Sequence, residues 1–503
     1  MTSNEKFSSR WGLIFAALGM AVGAGNLWRF PRLAGQYGGT FLILWVIFLL
    51  IWAMPVLLAE FAIGKAYKKS VIGSFAQFAG KRYTWMGYFI TLCTLGITFY
   101  YSVVTAWGLR YIGLSLTHVW AAMTGGTTLS QHLATNPEYI NQYWAEISSH
   151  SYLTVGLHLL AVLLGVFFLI RGVQGGLERV NKFLIPVLFG LLITTGILAL
   201  NAGNGIKGLE YLFTIRPELF GDVTVWIEAL SQSAWSTGAG WGLMMTFAAY
   251  SREKEDVTLN IFISGFGDNT ASLLAGMAIL PAVFALASSD AEAITFLQSG
   301  NQALIFNIIP RFFAQITGGA YFALLFFVVF FLAAFSSLLS MVQLFIKLVT
   351  DLGFDLRRSS VVVGIFCVVF GLPSAWSLDF FNNQDWVWGI GLIVSGLFII
   401  FAVLKHGAKK FKTQFIDQDS DFRVHNLYFV VAISVNVLLG LIIILWWMSR
   451  GYDAHPWFDE NGSWNFISIY SNATIVTQWA IVLISGIVLN RFLYKKFVTD
   501  VKI

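Results

Sequence analysis

Apolar residues gather into long runs separated by short polar stretches along nearly the whole chain. A helix that crosses a bilayer needs about 20 mainly apolar residues. Runs of that kind fall near 11–36, 40–64, 85–117, 153–170, 180–200, 224–250, 258–287, 318–349, 360–375, 386–404, 426–448 and 474–494. The pattern predicts an all-α membrane protein with twelve transmembrane helices. The first run is long, interrupted by glycines and without an A-x-A-like cleavage sequence, so it does not read as a secretory signal peptide.

Composition excludes the main alternatives. Of 503 residues 57% are apolar and 11% charged, against about 25% charged in soluble domains. Aromatics reach 16%, with 46 Phe and 19 Trp, which suits a surface facing lipid. Disorder is excluded by the abundance of apolar side chains. The two cysteines, Cys93 and Cys367, lie in apolar runs and provide neither a disulfide framework nor a CxxC metal site.

The net charge of +5 changes meaning once the basic residues are located. With the N-terminus inside, the segments on the inner side carry 24 of the 31 Lys and Arg, and the segment 118–152 carries none. That asymmetry puts both termini in the cytoplasm. The basic balance is therefore membrane topology, and no nucleic-acid partner is expected.

Two runs are broken by small residues. The first contains Gly19-Met20-Ala21-Val22-Gly23-Ala24-Gly25-Asn26 and the second Ser236-Thr237-Gly238-Ala239-Gly240-Trp241-Gly242. Each Gly costs a helix about 1 kcal/mol relative to Ala. Close packing through small residues is the plain alternative for one such cluster. Two in corresponding positions, spans 1 and 6, point to an inverted-repeat transporter with broken helices. A break frees backbone groups at mid-membrane, where protein, ion or substrate must satisfy them. Half-helix N-termini attract a carboxylate. Freed carbonyls with Ser, Asn or Asp oxygens suit a small cation such as Na⁺.

The segment Gly19 to Pro31, GMAVGAGNLWRFP, resembles the first-helix sequence of the neurotransmitter:sodium symporter family, and in particular its bacterial LeuT-like amino-acid transporters. The resemblance extends from Arg10 to about Lys405. It implies a LeuT fold with a 5+5 inverted repeat: a cytoplasmic tail over 1–9, repeats over 10–200 and 201–405, and helices 11 and 12 with a cytoplasmic tail over 406–503. It implies sodium-coupled symport of an amino acid by alternating access across a bacterial plasma membrane, with two sodium sites. A monomer or weak dimer is expected.

The resemblance also assigns residues. The first sodium site would use Ala21, Asn26, Ser236 and Asp268, the last where the family usually has Asn. The second would use the carbonyls of Gly19, Val22 and Ala333 with the hydroxyls of Ser336 and Ser337; back-bonding to the preceding helical turn is the plain alternative for those hydroxyls. The substrate would meet Ala21, Ala24, Gly25, Ile97, Tyr101, Trp235, Ser236, Gly238, Trp241, Ser337 and Met341. The family's monoamine carriers have Asp at the position of Gly23, so Gly there implies an amino acid. Arg29 and Asp385, with Gln232, match an outer gate. Tyr250 and Asp351 match an inner one, whose N-terminal Arg is Asn4 here with Lys6 nearby. Glu60 matches a Glu that holds the helix 6 backbone. Gly176 and Pro186 match a stretch of helix 5 that can unwind. Ser236 and Ser272 match chloride-site positions, but Trp45 stands where a Tyr is expected. Asp268 would supply the negative charge itself, so chloride is not expected to be required.

A proton-coupled transporter of the same fold is the nearest competitor, with Asn26 and the Ser336-Ser337 pair favouring sodium. A channel would need a filter or a charged ring. An enzyme is not expected: HExxH and GxSxG are missing, and GAGN at 23–26 lacks the context of a dinucleotide loop.

Overall fold

The structure, a computed structural model, describes residues 6–316, 318–449 and 453–499; Asn4 lies outside them. Ser9 opens the first helix by accepting the Gly12 N–H, and the helix runs Arg10–Ala21 (α1a). Val22 and Gly23 leave helical geometry, and helix resumes at Ala24. The run Ala24–Tyr67 is long and apolar, yet it turns at Gly38. Residues 24–37 form α1b and 39–67 form α2. At Gly38 φ is 60° and ψ −147°, and a Cβ would stand 2.8 Å from the Thr214 carbonyl oxygen, so the turn requires Gly.

The remaining spans are α3 (Thr84–Thr124), α4 (Tyr152–Leu169), α5 (Val173–Leu200), α6a (Val223–Ser236), α6b (Leu243–Ala249), α7 (Val257–Leu286), α8 (Gly319–Asp351), α9 (Leu356–Trp376), α10 (Leu378–His406), α11 (Asn426–Ser449) and α12 (Asn472–Tyr494). The order matches the twelve apolar runs. Several helices reach further than expected. The expected connector 118–152 is itself helical at Leu129–Thr135 and Tyr139–Ser148, where amphipathic turns were too short to stand out from polar sequence.

Burial sorts the helices into centre and rim. The apolar window of α3 is 83% buried, whereas those of α4, α11 and α12 are 33% buried. α4 turns Leu159, Leu160, Leu163 and Phe167 outward, a surface suited to lipid rather than water. At the centre α1a packs on α5, α7 and α8, α6a on α1b, α6b on α2, and α3 along α8 and α10. The two interrupted helices thus lie inside a scaffold of continuous ones.

Candidate functional site

At the first break the chain caps itself. The Gly23 N–H donates to Asn26 Oδ1 at 2.8 Å, and the Ala24 N–H donates to the Tyr101 hydroxyl at 2.9 Å. Tyr101 therefore accepts here and keeps its own proton for another partner. Gly23 has no room for a side chain: a Cβ would stand 2.6 Å from Tyr101 Oη and 2.8 Å from Ser337 Oγ. Gly25 is the opposite case, with nothing within 4 Å of where its Cβ would be.

The second break spans Thr237 to Gly242. Gly238, Gly240 and Gly242 all have positive φ, of 70°, 96° and 74°, which explains why the glycines cluster there. The Gly240 N–H donates to Glu60 Oε1 at 2.6 Å, and Thr94 Oγ1 donates to the Trp241 carbonyl at 2.7 Å. Glu60 thus reaches the helix 6 backbone as the resemblance implied. Gly240 also packs tightly on α10, where a Cβ would stand 2.8 Å from the Leu392 carbonyl oxygen.

A continuous cavity of about 200 Å³ opens between the breaks. Ala21, Gly25, Tyr101, Trp235, Ser236, Gly238, Trp241, Ser337 and Met341 all border it. Trp235 and Trp241 meet edge to face, 5.6 Å between centroids. Ala24 and Ile97, also expected in the lining, do not border it; both are fully buried in the surrounding core. Ala24 meets Tyr101 through its backbone N–H, and Ile97 lies one helical turn before Tyr101 in the packed part of α3.

Two groups of buried oxygens flank the cavity. In the first, Asn26 Nδ2 donates to Asp268 Oδ1 at 2.6 Å and to Ser272 Oγ at 2.7 Å. Ser236 lies beside the Asp268 carboxyl, yet Ser236 Oγ and Asp268 Oδ2 lack a hydrogen bond of acceptable geometry. Asn26 Oδ1 already accepts the Gly23 N–H and retains its second lone pair. These oxygens, beside Ala21, are a donor set that fits a small hard cation. In the second group the paired serines divide. Ser337 Oγ lies 3.2 Å from both the Gly19 and Met20 carbonyl oxygens, bridging α8 to α1a. Ser336 Oγ donates to Ala333 O of its own helix at 3.0 Å, the back-bonded arrangement. The chain also leaves helical geometry at Val22.

The cavity extends to Arg29, Glu228 and Asp385. Arg29 and Asp385 do not pair with each other. Arg29 pairs with Glu228 at 3.0 Å and also bonds Ser231 and, at 3.4 Å, Gln232. Asp385 accepts the Tyr100 hydroxyl at 2.9 Å. With the space between them open, each group finds a partner on its own wall. Glu228 is a lone acid in an apolar run, one turn from Gln232; that spacing was the available signal.

The face bearing the described chain ends is shut. Phe7 is buried edge-on against Phe247, and its N–H donates to the Tyr250 carbonyl at 3.0 Å. Ser8 donates to Glu178 through N–H and hydroxyl, and Lys182 pairs with the same carboxylate. Arg10 and Arg252 both pair with Glu255 at 3.1 Å. Lys6 lies 3.8 Å from Glu253. Asp351 pairs with Lys347 at 2.7 Å on its own helix and accepts the Ser70 N–H at 2.5 Å. The Gln343 amide donates to the Tyr250 hydroxyl at 2.9 Å. Lys347, four residues before Asp351, was legible as a helical ion pair and was missed. Lys68, just past α2, donates to the carbonyls of Ala248 and Ser251 at the end of α6b, and burial pulls its amine down to about 8. Gly176 lies in a π-helical stretch, Val173–Glu178, at the start of α5, with Pro186 further along.

Two broken helices facing each other across a central cavity, within a bundle of membrane-spanning helices, define a multi-span transporter of the LeuT fold. The sodium:neurotransmitter symporter family model matches residues 4–499, and the chain belongs to that family. It is therefore a sodium-coupled transporter rather than an enzyme. An uncharacterized sodium-dependent transporter of Bacillus subtilis, YhdH, is 28% identical over 415 residues, covering 78% of this chain and 86% of that protein. Another, from Methanocaldococcus jannaschii, is 28% identical over 366 residues, 72% of this chain and 73% of its own length. The crystal structure of MhsT in complex with L-phenylalanine superposes with a TM-score of 0.75 at 25% identity, covering 88% of this chain and 99% of that one.

Proposed function

We propose that the protein carries an amino acid with an apolar side chain together with Na⁺ across a bacterial plasma membrane by alternating access, with both termini cytoplasmic. The observation that carries the substrate class is the first break. Gly23 excludes a side-chain carboxylate at the first break, so the break itself offers no counter-charge for a bare amine. Gly25 leaves the start of α1b open to the cavity, where the helix N-terminus favours a carboxylate. The Tyr101 hydroxyl, which borders the cavity, adds a second donor. Trp235, Trp241 and Met341 supply an apolar wall. The L-phenylalanine held by MhsT supports the same class.

The first cation would sit among Ala21, Asn26, Ser236 and Asp268, and the second among Gly19, Val22, Ala333, Ser336 and Ser337. Their oxygens would hold the ions, Asp268 being the one carboxylate among them, and the first ion would supply positive charge that a substrate carboxylate meets. Arg29, Gln232 and Asp385 act as the outer gate, with Tyr250 and Asp351 on the inner side. Proton coupling in place of sodium draws no support from the relatives. Chloride is not required in this reading, because Asp268 places a carboxylate beside the first cation.

The test is a thermal-shift screen of the twenty amino acids on purified protein in Na⁺ and in K⁺. Stabilisation by apolar amino acids in Na⁺ alone is expected. Equal stabilisation in K⁺ overturns the sodium reading, and a response confined to amines without a carboxylate overturns the substrate class.

A further inference from the structure

Asn181, in the middle of the termini-side half of α5, is fully buried, and neither its Oδ1 nor its Nδ2 has a hydrogen-bond partner. A buried amide left wholly unpaired is a costly arrangement, and such a group calls for an occupant. Its surroundings say which kind. The amide lies directly against Gly19: a Cβ on Gly19 would overlap Asn181 Oδ1 and stand 3.2 Å from Nδ2. Gly19 is near the end of α1a, and its carbonyl is one of the two that Ser337 meets at 3.2 Å. Three helices therefore bring polar groups around Gly19, beside the first break: α1a its terminal carbonyls, α8 the Ser337 hydroxyl on the Gly19 carbonyl, and α5 the Asn181 amide against the Gly19 Cα.

The donor set decides the chemistry. Carbonyl, hydroxyl and amide oxygens without a carboxylate suit a small monovalent cation; a divalent one would demand charged oxygens. The amide is also reversible. It can present oxygen to a bound cation, and by turning over it can present NH₂ to the carbonyls once the cation has gone.

We propose that Asn181 is a further ligand of the second sodium site, its amide oxygen completing a shell begun by the Gly19 carbonyl and Ser337. The proposal rests on the sodium reading above. It also gives the small size of residue 19 a reason, since any side chain there would occupy the place of the amide.

The test reads Na⁺-dependent heat stability of the purified full-length protein, without substrate and without transport. Asn181→Ala is expected to raise the Na⁺ concentration for half-maximal stabilisation at least fivefold. Asn181→Asp, nearly the same shape with a charged oxygen, is expected to lower it at least threefold. An unchanged Na⁺ midpoint in Asn181→Ala, within twofold, overturns the proposal and assigns the amide to water or packing. Should Asn181→Ala fail to fold, Asn181→Asp decides alone, an unchanged midpoint again overturning it. Failure of the sodium reading looks different: the native protein itself would show no Na⁺-dependent stabilisation.

Discussion

Gly25 and Gly23 are two residues apart and make opposite demands. A methyl at Gly25 meets nothing in the protein, but it projects where a substrate carboxylate would lie. Gly25→Ala is expected to leave the melting temperature unchanged within about 2 °C, since Gly to Ala is neutral or mildly favourable in unstrained helix, while amino-acid binding weakens at least tenfold. A thermal melt beside a binding isotherm checks both halves. Asp268 makes the second prediction at this scale. Two like charges close together in a low dielectric repel strongly, so a carboxylate there is expected to exclude chloride and take its place. Uptake at fixed Na⁺ is expected to be the same in gluconate and chloride for the native protein, and to fall several-fold in gluconate for Asp268→Asn. A several-fold loss in the native protein would show that the carboxylate does not do the work of the anion.

At the scale of elements, the second break depends on a partner from another helix. The Gly240 N–H, freed by the break, has Glu60 Oε1 as its acceptor. Glu60→Leu leaves that donor buried and unsatisfied, at a cost of about 1–3 kcal/mol. A melting temperature several degrees lower is expected, with Glu60→Gln milder because its amide oxygen still accepts. Breaks and spans were legible in the sequence because their signals are local: apolar length for the spans and clustered glycine for the breaks, with positive φ at the second. The short helices at Leu129–Thr135 and Tyr139–Ser148 were not, since seven and ten residues are too short to stand out as spans even where, as at Ile140, Tyr143 and Ile147, the buried positions keep helical spacing. Within the site the backbone positions were easier to anticipate than the ion pairs. Which carboxylate Arg29 meets, Glu228 or Asp385, depends on how far apart the walls stand, and spacing along the chain holds no record of that.

For the whole molecule, the closed face is bridged by the tail, through Phe7, Ser8 and Arg10, beside the bond from the Ser70 N–H to Asp351. Asp351 and Lys347 share one helix, so they travel together and their pairing cannot report which face is open. Glu255 instead holds α1a through Arg10. Glu255→Gln is expected to speed hydrogen exchange over residues 6–21 at least twofold, and Asp351→Asn to leave it unchanged, as read by mass spectrometry. The reverse ranking would return the lock to Asp351. The turn at Gly38 then has a mechanical meaning. Only one residue separates α1b from α2, so the pair behaves as a crank with a single stiff elbow, whereas α1a hangs from it by the loose link at Val22 and Gly23. Opening the closed face should swing α1a like a pendulum while the crank stays put, and lengthening the elbow by a flexible insert should uncouple the opposite face instead.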